Sequence, residues 1–465
     1  MSIASMTASS RLASIAGPAH VISDSPNLAA YEIGGKKPVA VVSPGTIEEV
    51  AEIVKFAAGE KLALVPAGAR TKLQMGLPPK RYDLALDMTR LDRVTAYDPA
   101  DLTLAVEPGI SVTRLASVLA EHKQWLPLGA PFEDHSTIGG TIASGVDGTF
   151  RQSYGTARDY VLGIEFVTGE GACAKSGGRV VKNVTGYDLH KLMIGALGTL
   201  GIITKINFRT FPALLSPCGL AASFRTAEQA LELRHRISRS PLLPVGLEMF
   251  SPGSCERLCA VAAPETAERG IPSNLFSPSA WTLIAGFSGT EKVLKRCEDE
   301  FFQMAGDCGG SRPTALRGDE FSAASGFARE FVRLALGASP AATIVKMSVL
   351  PTRMKDAIAN AVSAADTNLL PWAAMARGVG VIYFALLPKD RTEEVRSRVI
   401  QATDQILHEC AGLVGNATIP WSPSEWKGVL KVWGPERADF DQMRKLKNLF
   451  DPHEILSPGR FAGGI

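Results

Sequence analysis

Fifteen of the chain's 44 glycines lie between Gly129 and Gly201. A local excess of this kind means tight turns, or backbone that passes close to something with no Cβ in the way. The paired Gly139 and Gly140 sit among small residues in Thr137-Ile138-Gly139-Gly140-Thr141-Ile142-Ala143-Ser144-Gly145. That pattern suits close approach of the main chain to a ligand. Whatever fold the chain adopts must accommodate this stretch.

The rest of the composition mainly excludes. A length of 465 residues is compatible with two to four domains at about 150 residues each. Lys plus Arg number 49 and Asp plus Glu 47, a net charge of +2, so charge gives no case for a nucleic-acid partner. The seven cysteines are odd in number and scattered, against a disulfide framework and against a self-contained iron–sulfur cluster, which needs clustered thiolates. Cys255 and Cys259 read as neighbours on one helical turn, with no second Cys or His pair nearby to complete a metal site. Residues 1–30 are rich in Ser and Ala without the continuous apolar core of a signal peptide. No run of about 20 apolar residues marks a membrane span. A cytoplasmic location is expected, with peripheral attachment at the inner membrane through partners left open.

From residue 37 the chain alternates. Strands are expected at 38–42, 62–65, 84–87 and 102–106, and helices at 47–59, capped by Thr46 with Glu49 as its box partner, and from Ser111 to about 122. Short strands follow at 162–168 and 180–181, with a strand-like run at 200–206. Beyond Pro212 come strands at 219–224, 245–250, 281–287, 343–350 and 379–387, and helices at 227–238, 291–305, 354–365 and 393–409. This rhythm gives an α+β fold. The length of 251–342 has no explanation at this level.

The loop Pro66-Ala67-Gly68-Ala69-Arg70-Thr71 follows a strand, and its successive N–H groups can form an anion nest. It is not a triphosphate P-loop, since no Lys-Ser/Thr follows a GxxxxG, and no GxGxxG marks a Rossmann site. Further pieces are Tyr154-Gly155-Thr156-Ala157-Arg158-Asp159, Lys182-Asn183 with Gly186-Tyr187-Asp188, Leu197-Gly198-Thr199-Leu200-Gly201-Ile202-Ile203, and the ending Leu456-Ser457-Pro458-Gly459-Arg460.

In this order these segments resemble the FAD-binding PCMH-type flavoproteins of the vanillyl-alcohol oxidase/para-cresol methylhydroxylase superfamily, and most of all the E subunits of glycolate oxidases (glycolate dehydrogenases). The resemblance is strong over about 37–211, weak at 344–351 and strong again at 443–465. It implies an N-terminal extension (1–36) and a bipartite FAD-binding domain (37–213, subdomains about 37–99 and 100–213). An α+β cap (214–438) and a C-terminal segment (439–465) that returns to the flavin domain would follow. It implies that FAD lies between the subdomains. Pro66, Ala67, Gly68, Ala69, Arg70, Thr71 and Lys72 would hold the pyrophosphate. Thr137, Gly139, Gly140, Ser144 and Gly145 would line the phosphates and ribityl chain, Ile203 would meet the adenine side, and Ser457 would approach the flavin ring.

Two departures qualify this. Ala69 and Arg70 stand where the family loop is usually glycine, and Arg70 adds a cation that can pair with the pyrophosphate; no histidine occupies the position that links covalently to flavin in some members, so FAD is expected to be non-covalent. Related D-2-hydroxy acid dehydrogenases, the D subunits of glycolate oxidases included, carry a histidine-rich metal and substrate motif before the C-terminal segment. Here 368–420 holds only His408, and no metal is expected. Lys346, which can bind a carboxylate, His135 and Tyr187 are the candidates for catalysis. The plainer readings are a Lys at a strand edge and a core aromatic. The leading reading is an FAD-binding subunit of a glycolate or 2-hydroxy acid oxidising complex. It would pass electrons from substrate through flavin to a D-type flavoprotein subunit and an iron–sulfur F-type subunit. The alternatives are a stand-alone FAD-linked D-2-hydroxy acid (D-lactate-like) or alcohol dehydrogenase, and a flavin-binding structural or relay subunit without turnover.

Overall fold

The computed structural model describes residues 3–146, 148–179, 186–259, 271–272, 274–435 and 437–465. The Lys182-Asn183 pair and the expected strand at 180–181 lie outside the described residues.

The first sheet contains β1 (Val21–Ile22), β2 (Ala40–Val42), β3 (Leu64–Ala67) and β4 (Leu84–Asp87), in the order β1-β2-β4-β3. β2, β4 and β3 are parallel, which demands a crossover. The helix Ile47–Gly59 supplies one and buries Val50, Ile53, Val54 and Ala57 at helical spacing. Thr46 Oγ1 accepts from the Glu49 N–H at 3.2 Å. Glu49 reaches back to the N–H of Gly45 rather than of Thr46, so the expected box closes one residue early. The N-terminal stretch is more than an extension. It forms a helix, Ile3–Ala16, whose Leu12 and Ala16 share a core with Val50 and Val54.

The second unit contains β5 (Val94–Asp98), β6 (Thr103–Val106), β7 (Gln124–Trp125), β8 (Val161–Val167), β9 (Cys173–Gly177), β10 (Ile202–Arg209) and β11 (Phe211–Pro212). Its five-stranded sheet runs β5-β6-β10-β8-β9 with antiparallel neighbours, and β11 pairs with β7 apart from it. Ser111 caps the helix Val112–Ala120, as expected.

The third unit is an eight-stranded antiparallel sheet of β12 (Cys218–Phe224), β13 (Gly246–Phe250), β14 (Trp281–Phe287), β15 (Ser311–Arg317), β16 (Thr343–Ser348), β17 (Trp372–Arg377), β18 (Val381–Leu386) and β19 (Asn416–Trp421). The order is β15-β12-β14-β13-β17-β18-β16-β19. One face is covered by the helices Ala227–Ser238, Glu291–Asp307, Met354–Thr367 and Glu393–Gly412. The other packs on the 20-residue helix Asp319–Ala338 and on Met75 and Leu197 of the first two units. Among the described residues, the long region 251–342 therefore holds two strands and most of the cover on the inner face.

After the helix Phe440–Phe450 the chain returns to the first sheet. Leu64 N donates to Ile455 O at 2.7 Å, and Ser457 N donates to Leu64 O at 2.8 Å. This short parallel bridge lays residues 455–457 beside β3. Among the described residues no helix is long and apolar enough to cross a membrane.

Candidate active site

A cleft with an open volume of about 760 Å³ lies between the first two units. Of the residues expected to hold a cofactor, Pro66, Ala67, Gly68, Ala69, Arg70, Thr71, Lys72, Thr137, Gly139, Gly140, Ser144 and Ile203 line it. Gly145 does not. It ends the helix Ile138–Ser144 in a left-handed conformation and borders the neighbouring cavity instead. Ser457 is fully buried next to Gly198, which lines the cleft.

Close backbone approach decides the shape of this cleft. A Cβ on Gly68 would fall 2.0 Å from Thr137 Oγ1, and one on Gly139 would fall 2.5 Å from Pro108 Cβ and 2.9 Å from Pro108 O. Among the described residues, the backbone N–H groups of Gly68, Ala69, Arg70, Thr71 and Lys72 make no hydrogen bond to the chain. A turn of free N–H groups is an anion cradle. Two buried polar atoms beside the cleft, Ser457 Oγ and Arg460 Nε, have no partner among the described residues. These features fit an extended ligand with phosphate groups and polar ring edges.

Arg70 is in the left-handed region, φ 65°. That conformation is costly for a side-chain-bearing residue and accounts for the glycine usual there. Its guanidinium is tied down while staying partly exposed: Nη1 donates to Tyr31 Oη at 3.0 Å and lies 3.7 Å from Asp87 Oδ2. Tyr31 also bonds Asp87, so the N-terminal stretch braces the loop. Lys72 is buried, and burial pulls its ammonium down to about 8 against the opposing pull of Glu330 and Glu133. It donates to Ser136 Oγ at 2.6 Å, and Thr71 Oγ1 is 3.0 Å from the same oxygen. Ser136 donates in turn to Phe132 O at 2.7 Å. The Glu330 carboxylate, on the helix Asp319–Ala338, accepts from the N–H of Phe132 at 3.0 Å, and Arg329 pairs with Glu133 at 2.9 Å. The loop at residues 66–72 is thus wired to the helix that packs on the eight-stranded sheet.

Arg460, the last residue of the Leu456–Arg460 ending, also lines the cleft. Its guanidinium is buried, with Nη2 donating to the carbonyls of Leu73 and Met75, and burial lowers it to about 10. Ala143, Leu197 and Gly198 also line the cleft. They are small or apolar residues with no chemical signature to betray them.

A second cavity, with about 1270 Å³ of space open solvent included, lies between the first two units and the inner face of the eight-stranded sheet. It shares Ser144 with the first cleft and is lined by Lys346, Tyr383, Asn416, Thr418 and Trp421, among others. Lys346, expected on a cap strand facing the flavin, is therefore on this wall. His135 is exposed and lines neither cavity. Tyr187, read as a core aromatic or a proton donor, is 90% exposed and lines neither.

The cavity wall belongs to a polar row across an otherwise apolar sheet face. Glu248 pairs with Arg377 across β13 and β17, Tyr383 with Lys346 across β18 and β16, and Lys346 with Thr418 on β19. Arg377 Cζ lies 5.1 Å and Lys346 Nζ 6.0 Å from the Tyr383 ring centroid. Burial pushes the Glu248 carboxyl up from 4.5 to about 8, against the pull of Arg377. Between those two values the folded protein keeps a proton that the unfolded chain has released, so this group lowers stability as pH rises through that window. Glu248→Gln, with no proton to lose, is expected to show a flatter fall of Tm between pH 5 and 8 than the wild type. Parallel curves in a melting series would refute the assignment.

Comparison with known proteins adds two family matches, an FAD binding domain over residues 38–177 and the C-terminal domain of FAD linked oxidases over 428–461. Glycolate oxidase subunit GlcD of Bacillus subtilis is 26% identical over 91% of this chain and 88% of its own. D-lactate dehydrogenase of Archaeoglobus fulgidus is 26% identical over 90% of each. The solved structure of p-cresol methylhydroxylase with substrate bound shares the fold at TM-score 0.78 and 17% identity, covering 99% of this chain and 97% of that one.

Proposed function

From the premise that this chain is an FAD-linked oxidoreductase with the FAD-binding and C-terminal domains of that family, we propose that it is the flavin-binding subunit of a complex that oxidises glycolate or a related 2-hydroxy acid. The observation that carries this reading is the wall between the two cavities: Ser144 borders both, and Lys346 faces the cap-side cavity. FAD, when bound, would supply the hydride-accepting chemistry for oxidation at the alcohol carbon. The chain's own residues bind and orient. The free N–H groups of residues 68–72 and the Arg70 cation hold the pyrophosphate, Ser457 and Arg460 offer their unpartnered atoms to the ring end, and Lys346 holds the substrate carboxylate. Non-covalent binding is supported by a cleft lining without His, Cys or Tyr among the described residues.

The E-type reading, with a D-type flavoprotein and an iron–sulfur F-type subunit as partners, is supported by what the cavity lacks. No histidine lines it among the described residues, so no imidazole is in place to serve as a base. The GlcD and D-lactate dehydrogenase relatives favour a second reading, a stand-alone 2-hydroxy acid dehydrogenase, which the open, Lys-bearing cavity also suits. Anaerobic addition of glycolate or D-lactate to the purified yellow protein separates them. The complex requires that the flavin bleach only once partner subunits are added. Bleaching of the isolated chain supports the stand-alone enzyme, and no bleaching under either condition rejects both.

A further inference from the structure

The inner face of the eight-stranded sheet is built to be apolar. It carries Phe250, Ile284, Ala373, Met375 and Ala385 in one cluster with Met75 and Leu197 of the flavin half. Tyr383 belongs to that cluster and is 1% exposed, yet its hydroxyl has no partner among the described residues. A buried hydroxyl without a hydrogen bond destabilises the fold, and phenylalanine would fill the same space without that penalty. The residue also lines the cavity between cap and flavin half, beside Lys346, its cross-strand neighbour on β16. Its ring is held between two cationic side chains, Arg377 on β17 and Lys346 on β16, so the phenol is fixed in place.

We propose that Tyr383 is a substrate-contacting residue whose hydroxyl hydrogen-bonds the reacting hydroxyl of a 2-hydroxy acid, while Lys346 beside it takes the carboxylate. This rests on the reading that the cap-side cavity is the substrate site. The two contacts are separated by one cross-strand pair, and directly opposite Cβ atoms lie about 4.5–5.5 Å apart. Both residues line one cavity from neighbouring strands, so one small molecule carrying an alcohol beside a carboxylate can meet both. It places the specificity for a 2-hydroxy acid, as against a simple alcohol, on the pair β16–β18.

The test is Tyr383→Phe in the FAD-loaded protein, with the partner subunits present if the wild type needs them. Flavin content is expected to be unchanged, and the Tm of the substrate-free protein equal or higher, because only an unpaired hydroxyl is lost. Reduction of the flavin by the 2-hydroxy acid that reduces the wild type is expected to slow about tenfold to a hundredfold, the worth of one hydrogen bond to a reacting or charged group. A Phe variant that reduces within threefold of the wild type overturns the proposal while leaving the function standing. A lowered Tm in the free protein also overturns it, since the hydroxyl would then have a structural partner. If no 2-hydroxy acid reduces the wild type, with or without partners, the proposed function falls and takes this contact with it.

Discussion

Gly68→Ala is expected to yield a folded protein that purifies largely without flavin. The added methyl would fall 2.0 Å from Thr137 Oγ1 and 3.1 Å from Thr137 Cβ. Thr137 cannot swing aside freely, because its Oγ1 accepts from the Gly140 N–H at 3.3 Å and so caps the helix Ile138–Ser144. Either the cap opens or the loop 66–73 shifts away from it. Losing a cap and overpacking a close contact together amount to about 2–4 kcal/mol, or roughly 30- to 700-fold in the FAD dissociation constant. Titration of the stripped protein with FAD, followed by fluorescence quenching, measures this directly. An affinity within threefold of the wild type would show that the loop tolerates a side chain and that the contact does not shape the site.

The second large effect is on stability. The Lys447 ammonium is buried and donates to Asp451 Oδ2 at 2.5 Å, to Thr199 O at 2.8 Å and to Leu456 O at 2.9 Å. Asp451, with no exposed surface, accepts in turn from the N–H groups of Ile455 and Leu456. One ion pair therefore fixes the helix Phe440–Phe450, the start of β10 and the residues that lie beside β3. Desolvation pulls the Lys447 pKa down even against its partner's charge. Lys447→Met removes the cation and strands a carboxylate in the interior, an expected loss of about 3–5 kcal/mol. At about 2.1 cal/mol/K of unfolding entropy per residue, a fall in Tm of roughly 3–5 °C follows for a chain this large. Lys447→Met with Asp451→Leu is expected to regain part of it, because no charge is left unpaired. A single variant that melts with the wild type would mean that the carboxylate is already neutral or reaches water.

Strands and helices with a clean local pattern could be read from the sequence. Trp281–Phe287 is wholly buried and apolar except for Thr282, and the expected strand and the observed one coincide. Ile47–Gly59 has both its cap and its period. Other elements depend on their neighbours. β17 reads Trp-Ala-Ala-Met-Ala-Arg, an alanine-rich run of high helix propensity. It is a strand because β13 and β18 pair with it on both sides. The helix Asp319–Ala338 carries Ser, Gly and small residues through its first half, which blurred its period. Most residues that line the first cleft were legible as a group because they come in contiguous motifs. The polar row that runs through the cavity wall was not, since Glu248, Arg377, Tyr383, Lys346 and Thr418 come together only through the register of five strands. Lys346 alone was visible, as an isolated charge in an apolar run.

β3 is the outer strand of its sheet, and the side away from β4 is taken by residues 455–457. The two halves of that pairing, Leu64 and Leu456, are made far apart in time. At about 5–20 residues per second, a ribosome needs roughly 20–80 s to travel from one to the other. For that interval the nascent sheet shows an unpaired edge of apolar strand, a template for any other chain in the same state. The protein's yield in the cell should then depend on how crowded its own messenger is with ribosomes, and on whether a chaperone shields the early sheet, more than on the melting point of the finished molecule.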